Sequence, residues 1–76
     1  MSKYDELDRH IVKAIARGMD TFTVISRSGA VVTESHRLGE LTGAADWRIV
    51  DRRLQALRKA GRIAYAKRAW SVTETA

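Results

Sequence analysis

The most constraining feature of this chain is the segment DWRIVDRRLQALRKAG, residues 46–61, which predicts a long amphipathic helix. Its apolar side chains recur at three- and four-residue spacings, which places them on one side of a helix. They are Trp47, Val50, Leu54 and Leu57. Asp46 is a suitable N-cap and Gly61 a suitable C-terminal stop. We therefore expect a helix over residues 46–60 with this apolar stripe buried.

The opposite side of the same helix carries polar side chains. On a helical wheel of about 100° per residue, four of them project away from the apolar stripe. They are Arg48, Arg52, Gln55 and Lys59. Arginine and glutamine can form paired hydrogen bonds with guanine and adenine, and lysine can supply charge to a phosphate. A solvated helix face is the competing interpretation, but solvated faces usually mix charges of both signs, and these four residues include no acid.

The basic charge of the chain is concentrated in its C-terminal half. Residues 47–68 contain eight basic residues and one acid, whereas residues 1–33 contain five bases and four acids. Arg53 projects on a flank of the long helix, where we expect it to reach a phosphate. This asymmetry favours a polyanionic partner for the C-terminal half, with an ordinary solvated basic surface as the alternative.

Length and residue types narrow the class of protein. The 76 residues suffice for a single domain, expected over residues 1–76. The chain has no cysteine, which excludes a disulfide framework, a thiolate zinc site and a cysteine nucleophile. We recognise no phosphate-binding glycine loop or hydrolase motif, so we expect no enzyme activity, cofactor, metal or small-molecule ligand. We find neither a signal peptide nor a membrane span, which favours a cytoplasmic protein.

Two further helices are expected in the N-terminal half. The spacing of Leu7, Ile11 and Ile15 predicts a helix over residues 5–17, ended by Gly18. A second helix is expected over residues 35–41, with Leu38 and Leu41 buried and Gly43 after its end.

The segment between these helices is ambiguous. Residues 21–28 alternate like a strand, yet Asp20 or Thr21 could cap a short helix from Phe22 to Ser28. The pattern leaves both open and slightly favours the helix. Residues 30–32 are expected to form a short apolar connection.

The pattern after Gly61 changes from a helical to a strand period. Ile63, Tyr65, Trp70 and Val72 predict two short strands over residues 62–73, joined by a tight turn at Lys67 and Arg68. Trp47 and Trp70 could stack on the bases of a single strand, but we expect both to pack in the core or at its edge. The polar residues 73–76 are expected to fray.

The run LGELTGAADWRIVDRRLQALRKAGRIAY, with its ending LxxLRxAGxI before a strand pair, resembles the C-terminal part of winged-helix regulators. The resemblance implies an α+β, mostly α fold, with three or four helices followed by a two-stranded β-wing. The helix-turn-helix would span residues 35–60 and the wing residues 62–73.

In such domains the second helix of the helix-turn-helix enters the major groove and the wing contacts the DNA backbone or the minor groove. The resemblance therefore implies a small transcriptional regulator that binds duplex DNA. The expected DNA-binding residues are Arg48, Arg52, Arg53, Gln55, Lys59, Arg62, Lys67 and Arg68.

Two other partners fit the same pattern. Winged helices also serve as protein-interaction modules or inhibitors, and an acidic protein surface would suit the basic face. Structured RNA ranks lower, because its deep groove excludes a helix. A homodimer is also expected, since one recognition helix covers only a few base pairs, and apolar surface near Val12 is the expected contact.

Overall fold

Four helices precede a two-stranded antiparallel hairpin in the computed structural model, which describes residues 3–73. The helices are α1 (Asp5–Ala16), α2 (Phe22–Arg27), α3 (Gly29–Thr42) and α4 (Asp46–Lys59), and the strands are β1 (Ile63–Ala66) and β2 (Ala69–Val72). This layout confirms the α+β, mostly α fold class expected from the sequence. The predicted fraying of residues 74–76 lies outside the described residues.

Helix α1 buries the predicted apolar stripe and stops one residue before the predicted end. Leu7 and Ile11 are fully buried, and Gly18 follows the helix with a positive φ of 99°. Val12 is half-buried against the core rather than free on the surface. Helix α1 therefore offers a second copy of the chain less apolar surface than the sequence suggested.

The ambiguous segment at residues 21–28 is helical. Thr21 caps α2, because its Oγ1 accepts a hydrogen bond from the backbone N–H of Val24 at 3.3 Å. The chain before α2 also holds the hairpin, since the backbone N–H of Trp70 donates to the carbonyl of Asp20 at 2.7 Å. The helical alternative is confirmed.

Helix α3 is longer than predicted and begins at Gly29 instead of Ser35. The expected apolar connection at residues 30–32 is wrong, because these residues form its first turn and Val31 is fully buried. Leu38 is buried as predicted, but Leu41 is 66% exposed. The reason is that Val31 and Leu38 define the buried stripe, and Leu41 projects roughly 80° to the side of it.

The hairpin pairs Ile63 with Val72 and Ala66 with Ala69. Lys67 and Arg68 alone form the turn, with positive φ values of 52° and 63°. This is the geometry of a two-residue type I′ turn. The backbone N–H of Thr73 donates to the carbonyl of Arg62 at 3.0 Å, so the prediction that fraying begins at Thr73 is wrong.

Every element contributes to one hydrophobic core. The most deeply buried contributions, one from each element in chain order, are Leu7, Ile25, Leu38, Leu54, Ile63 and Trp70. Trp70, 7% exposed, packs as expected and attaches the hairpin to the helices. None of the helices in the described part of the chain is long and apolar enough to cross a membrane.

Candidate nucleic-acid interface

Helix α4 has a buried stripe that differs from the predicted one at one position. Val50, Leu54 and Leu57 are buried as expected, but Trp47 is 58% exposed and Ile49 is buried instead. The Ile49 side chain lies near Gly39 of α3. Trp47 borders a shallow groove whose lining includes Val32 and Ser35 of the same helix, and this groove leaves most of its ring exposed.

The side of α4 opposite the core is a basic face, defined here as the outward face of α4. Its members are Arg48, Arg52, Gln55 and Lys59. The three cations are exposed and Gln55 is half-buried. Within residues 3–73, none of the three cations forms an ion pair with an acid. Their charges are therefore available to a partner.

Several cations outside this face are neutralised within the fold. Arg9 pairs with Glu6, and Arg37 pairs with Glu34. The hydrogen bond from Arg37 lowers the pKa of Glu34 from its ordinary value. Glu6 of α1 and Glu34 of α3 thus each compensate one base on their own helix.

Arg53 belongs to the fold rather than to the outward face. Its Nε and Nη2 atoms donate to Oδ1 and Oδ2 of Asp8, each at 2.8 Å, and its guanidinium lies over the ring of Tyr4. The hydrogen bond to Asp8 raises the pKa of Arg53 above its ordinary value. Because Nε and Nη2 of Arg53 already donate to Asp8, Arg53 is a poor candidate for a phosphate contact.

The hairpin contributes a second basic site at its turn. Lys67 and Arg68 are exposed and form no ion pair within the described chain. Arg62 is half-buried between α4 and β1 and already has an interaction partner. Arg58 lies in the same basic segment and is exposed, although it is not one of the four outward residues. It forms no ion pair within residues 3–73.

The corner between α3 and α4 positions the outward face. Only residues 43–45 separate the two helices, and Gly43 adopts the left-handed conformation with φ of 77°. A Cβ added at Gly39 would lie 2.9 Å from the carbonyl oxygen of Ala44 and 2.8 Å from Oδ1 of Asp46. The absence of a side chain at Gly39 therefore allows the start of α4 to approach α3 closely.

Asp46 is the first residue of α4, not the N-cap that the sequence predicted. Ala45 occupies the cap position, and no side chain caps the helix. The Asp46 carboxylate instead lies 3.4 Å from Nδ1 of His36, whose Nε2 lies 3.1 Å from Glu40. Asp46 therefore ties the start of α4 to α3.

Comparison of the chain with known proteins identifies no relative: no family model, curated protein or solved structure matches it.

Proposed function

We propose that this chain is a winged helix-turn-helix domain that binds duplex DNA and regulates transcription. The observation that carries the proposal is a group of unpaired cations on one helix face and on the hairpin turn. Arg48, Arg52 and Lys59 lie on one helix face, and Lys67 and Arg68 on the hairpin turn, all without an acidic partner in residues 3–73. Clustered like charges repel one another, and a polyanion relieves that repulsion.

The α3–α4 corner supports duplex DNA as the polyanion. Two helices joined by a three-residue turn are typical of a helix-turn-helix, whose second helix enters the major groove. That groove is about 12 Å wide and accepts one helix. In this arrangement the outward face of α4 meets the base edges.

The hairpin turn supports a second contact with DNA. Type I′ turns favour asparagine and glycine, because both central residues need a positive φ. This chain has Lys67 and Arg68 there instead, with φ of 52° and 63°. Retaining two long cationic side chains in a strained conformation is expected where their charge is needed. We assign them to the DNA backbone, as the tip of the wing.

The roles on α4 follow from side-chain chemistry. Arg48 and Arg52 suit guanine or phosphate, Gln55 suits adenine, and Lys59 suits phosphate. Arg62 stays at the edge of the proposed interface, because it is half-buried and has a partner in the fold. We leave Arg53 out, because Asp8 occupies its guanidinium.

The test compares two triple variants with the same change in charge. One removes Arg48, Arg52 and Lys59 by substitution with alanine. The control replaces Arg9, Lys13 and Arg17 with alanine, which removes three exposed cations on and just after α1. Affinity for a labelled duplex is measured by fluorescence anisotropy.

We expect the α4 variant to bind at least about 100-fold more weakly, because each lost contact costs about 1 to 3 kcal/mol. The control should lose less than about fivefold at 0.15 M salt, since charges beyond the Debye length of about 8 Å are screened. Equal losses would show that net charge alone attracts DNA and would contradict the proposed face.

A further inference from the structure

Trp47 is exposed at a position where the fold does not require it. It lies in the first turn of α4, is 58% exposed, and is not part of the hydrophobic core. It borders a shallow groove of about 250 Å³ whose lining includes Val32, Ser35 and Val50. The exposed part of this large aromatic side chain gains no burial free energy in the free protein, so we expect it to be buried in a complex.

Arg48 lies beside this ring and forms no ion pair with an acid of residues 3–73. Its guanidinium carbon lies 5.5 Å from the centre of the Trp47 ring, which is a cation–π distance. Such a contact orients the guanidinium but does not consume its N–H groups. The pair therefore presents an apolar ring and an unpaired hydrogen-bond fork next to each other.

The place of the pair on the helix matches the part of a helix-turn-helix that meets base edges. The N-terminal residues of the second helix make those contacts. Trp47 and Arg48 are the second and third residues of α4. In the major groove, the thymine C5-methyl is the apolar group that distinguishes one base from the others, and guanine presents two acceptors that suit arginine.

We infer that Trp47 and Arg48 together read a thymine and a guanine in neighbouring base pairs. The Trp47 ring contacts the thymine methyl, and the Arg48 guanidinium donates to O6 and N7 of guanine. The inference rests on the proposed function, because it names the bases that the first turn of α4 recognises.

The test begins with selection of preferred duplexes from a random library by the full chain. Each thymine of the preferred site is then replaced with uracil, which removes only the methyl group. One replacement should weaken binding by the unchanged chain about fourfold, the equivalent of about 0.8 kcal/mol for one buried methyl group. The same replacement should have no effect on Trp47→Ala, while Trp47→Phe should retain part of it.

Arg48→Ala should reduce the preference for guanine at the neighbouring base pair by about 5- to 150-fold. Leu41→Ala is the matched control, since Leu41 is another exposed apolar residue, 66% exposed and outside α4, and it should leave the response to uracil unchanged. Circular dichroism should show the same helix content for all variants.

The outcomes separate this inference from the proposed function. Duplex binding that is indifferent to uracil at every thymine, or equally sensitive in Trp47→Ala, would overturn the inference and leave DNA binding intact. No binding to any duplex at low salt would overturn both.

Discussion

The ion pair between Arg53 and Asp8 connects α4 to α1 across 45 residues of sequence. The pairing is bidentate, with both distances at 2.8 Å, and Asp8 is only 6% exposed. A buried carboxylate that loses its partner retains its desolvation cost without the compensating attraction. Arg53 therefore stabilises the orientation of α4 relative to α1.

Replacing Arg53 with alanine should destabilise the protein by about 2 to 3 kcal/mol, because Asp8 is left charged and unpaired. Lysine at this position should recover only part of the loss, since it cannot form the bidentate pair. Urea denaturation followed by circular dichroism measures both. Arg9→Ala, which breaks an exposed pair, is the control and should cost less than about 1 kcal/mol. If Arg53→Ala costs no more than Arg9→Ala, the structural role of Arg53 is refuted.

A helical wheel places Arg52 on the outward face and Arg53 on a flank, but it does not reveal that Arg53 pairs with an acid 45 residues away. The same limit explains the error at Trp47. A helical wheel places Trp47 in the apolar stripe and Ile49 to its side, whereas the fold buries Ile49 and leaves Trp47 58% exposed.

Among the elements, the corner between α3 and α4 depends on the absence of a side chain at Gly39. Alanine there should destabilise the protein by about 1 to 3 kcal/mol, since its Cβ would meet the Ala44 carbonyl at 2.9 Å. That cost outweighs the helix propensity gained, which is about 1 kcal/mol.

Gly29→Ala is the matched control for this substitution. Gly29 is also in α3, but a Cβ there meets nothing within 4 Å. We expect its stability to be unchanged or slightly increased. Thermal unfolding of the two variants tests the idea, and an equal or higher midpoint for Gly39→Ala than for the unchanged protein would disprove the close approach.

The two cationic residues of the hairpin turn lower the stability of the protein, because both adopt a positive φ. Replacing Lys67 with asparagine and Arg68 with glycine should stabilise the protein by about 1 to 2 kcal/mol, because both residues tolerate positive φ. The same double variant should bind duplex DNA more weakly. Thermal unfolding and anisotropy on one preparation measure the two effects, and higher stability with unchanged affinity would remove the turn from the interface.

For the whole molecule, hydrophobic periodicity was enough to predict the mostly helical fold with a C-terminal hairpin. The stripes of α1 and α4 and the strand period after Gly61 are local signals. The start of α3 at Gly29 was not predictable from them. Residues 30–34 are β-branched, polar or small, and the burial of Val31 in a tertiary contact makes them helical.

The candidate site was predictable in part. A helical wheel predicted that the cations of α4 lie on its outward face. The structure shows Arg48, Arg52 and Lys59 exposed together without acidic partners in the described chain. The choice of partner depends on the whole surface that this face forms with the hairpin turn, and a binding measurement tests it.

The proposed function requires the exposed cations of α4 and of the hairpin turn to contact duplex DNA. Anisotropy of a labelled random duplex, titrated with the protein at several salt concentrations, measures it most directly. On a random duplex, where these five cations meet phosphates, the logarithm of the affinity should fall with the logarithm of salt concentration at a slope of about −4.5. The five are Arg48, Arg52, Lys59, Lys67 and Arg68. No binding at about 50 mM salt, or a slope near zero, would contradict the claim.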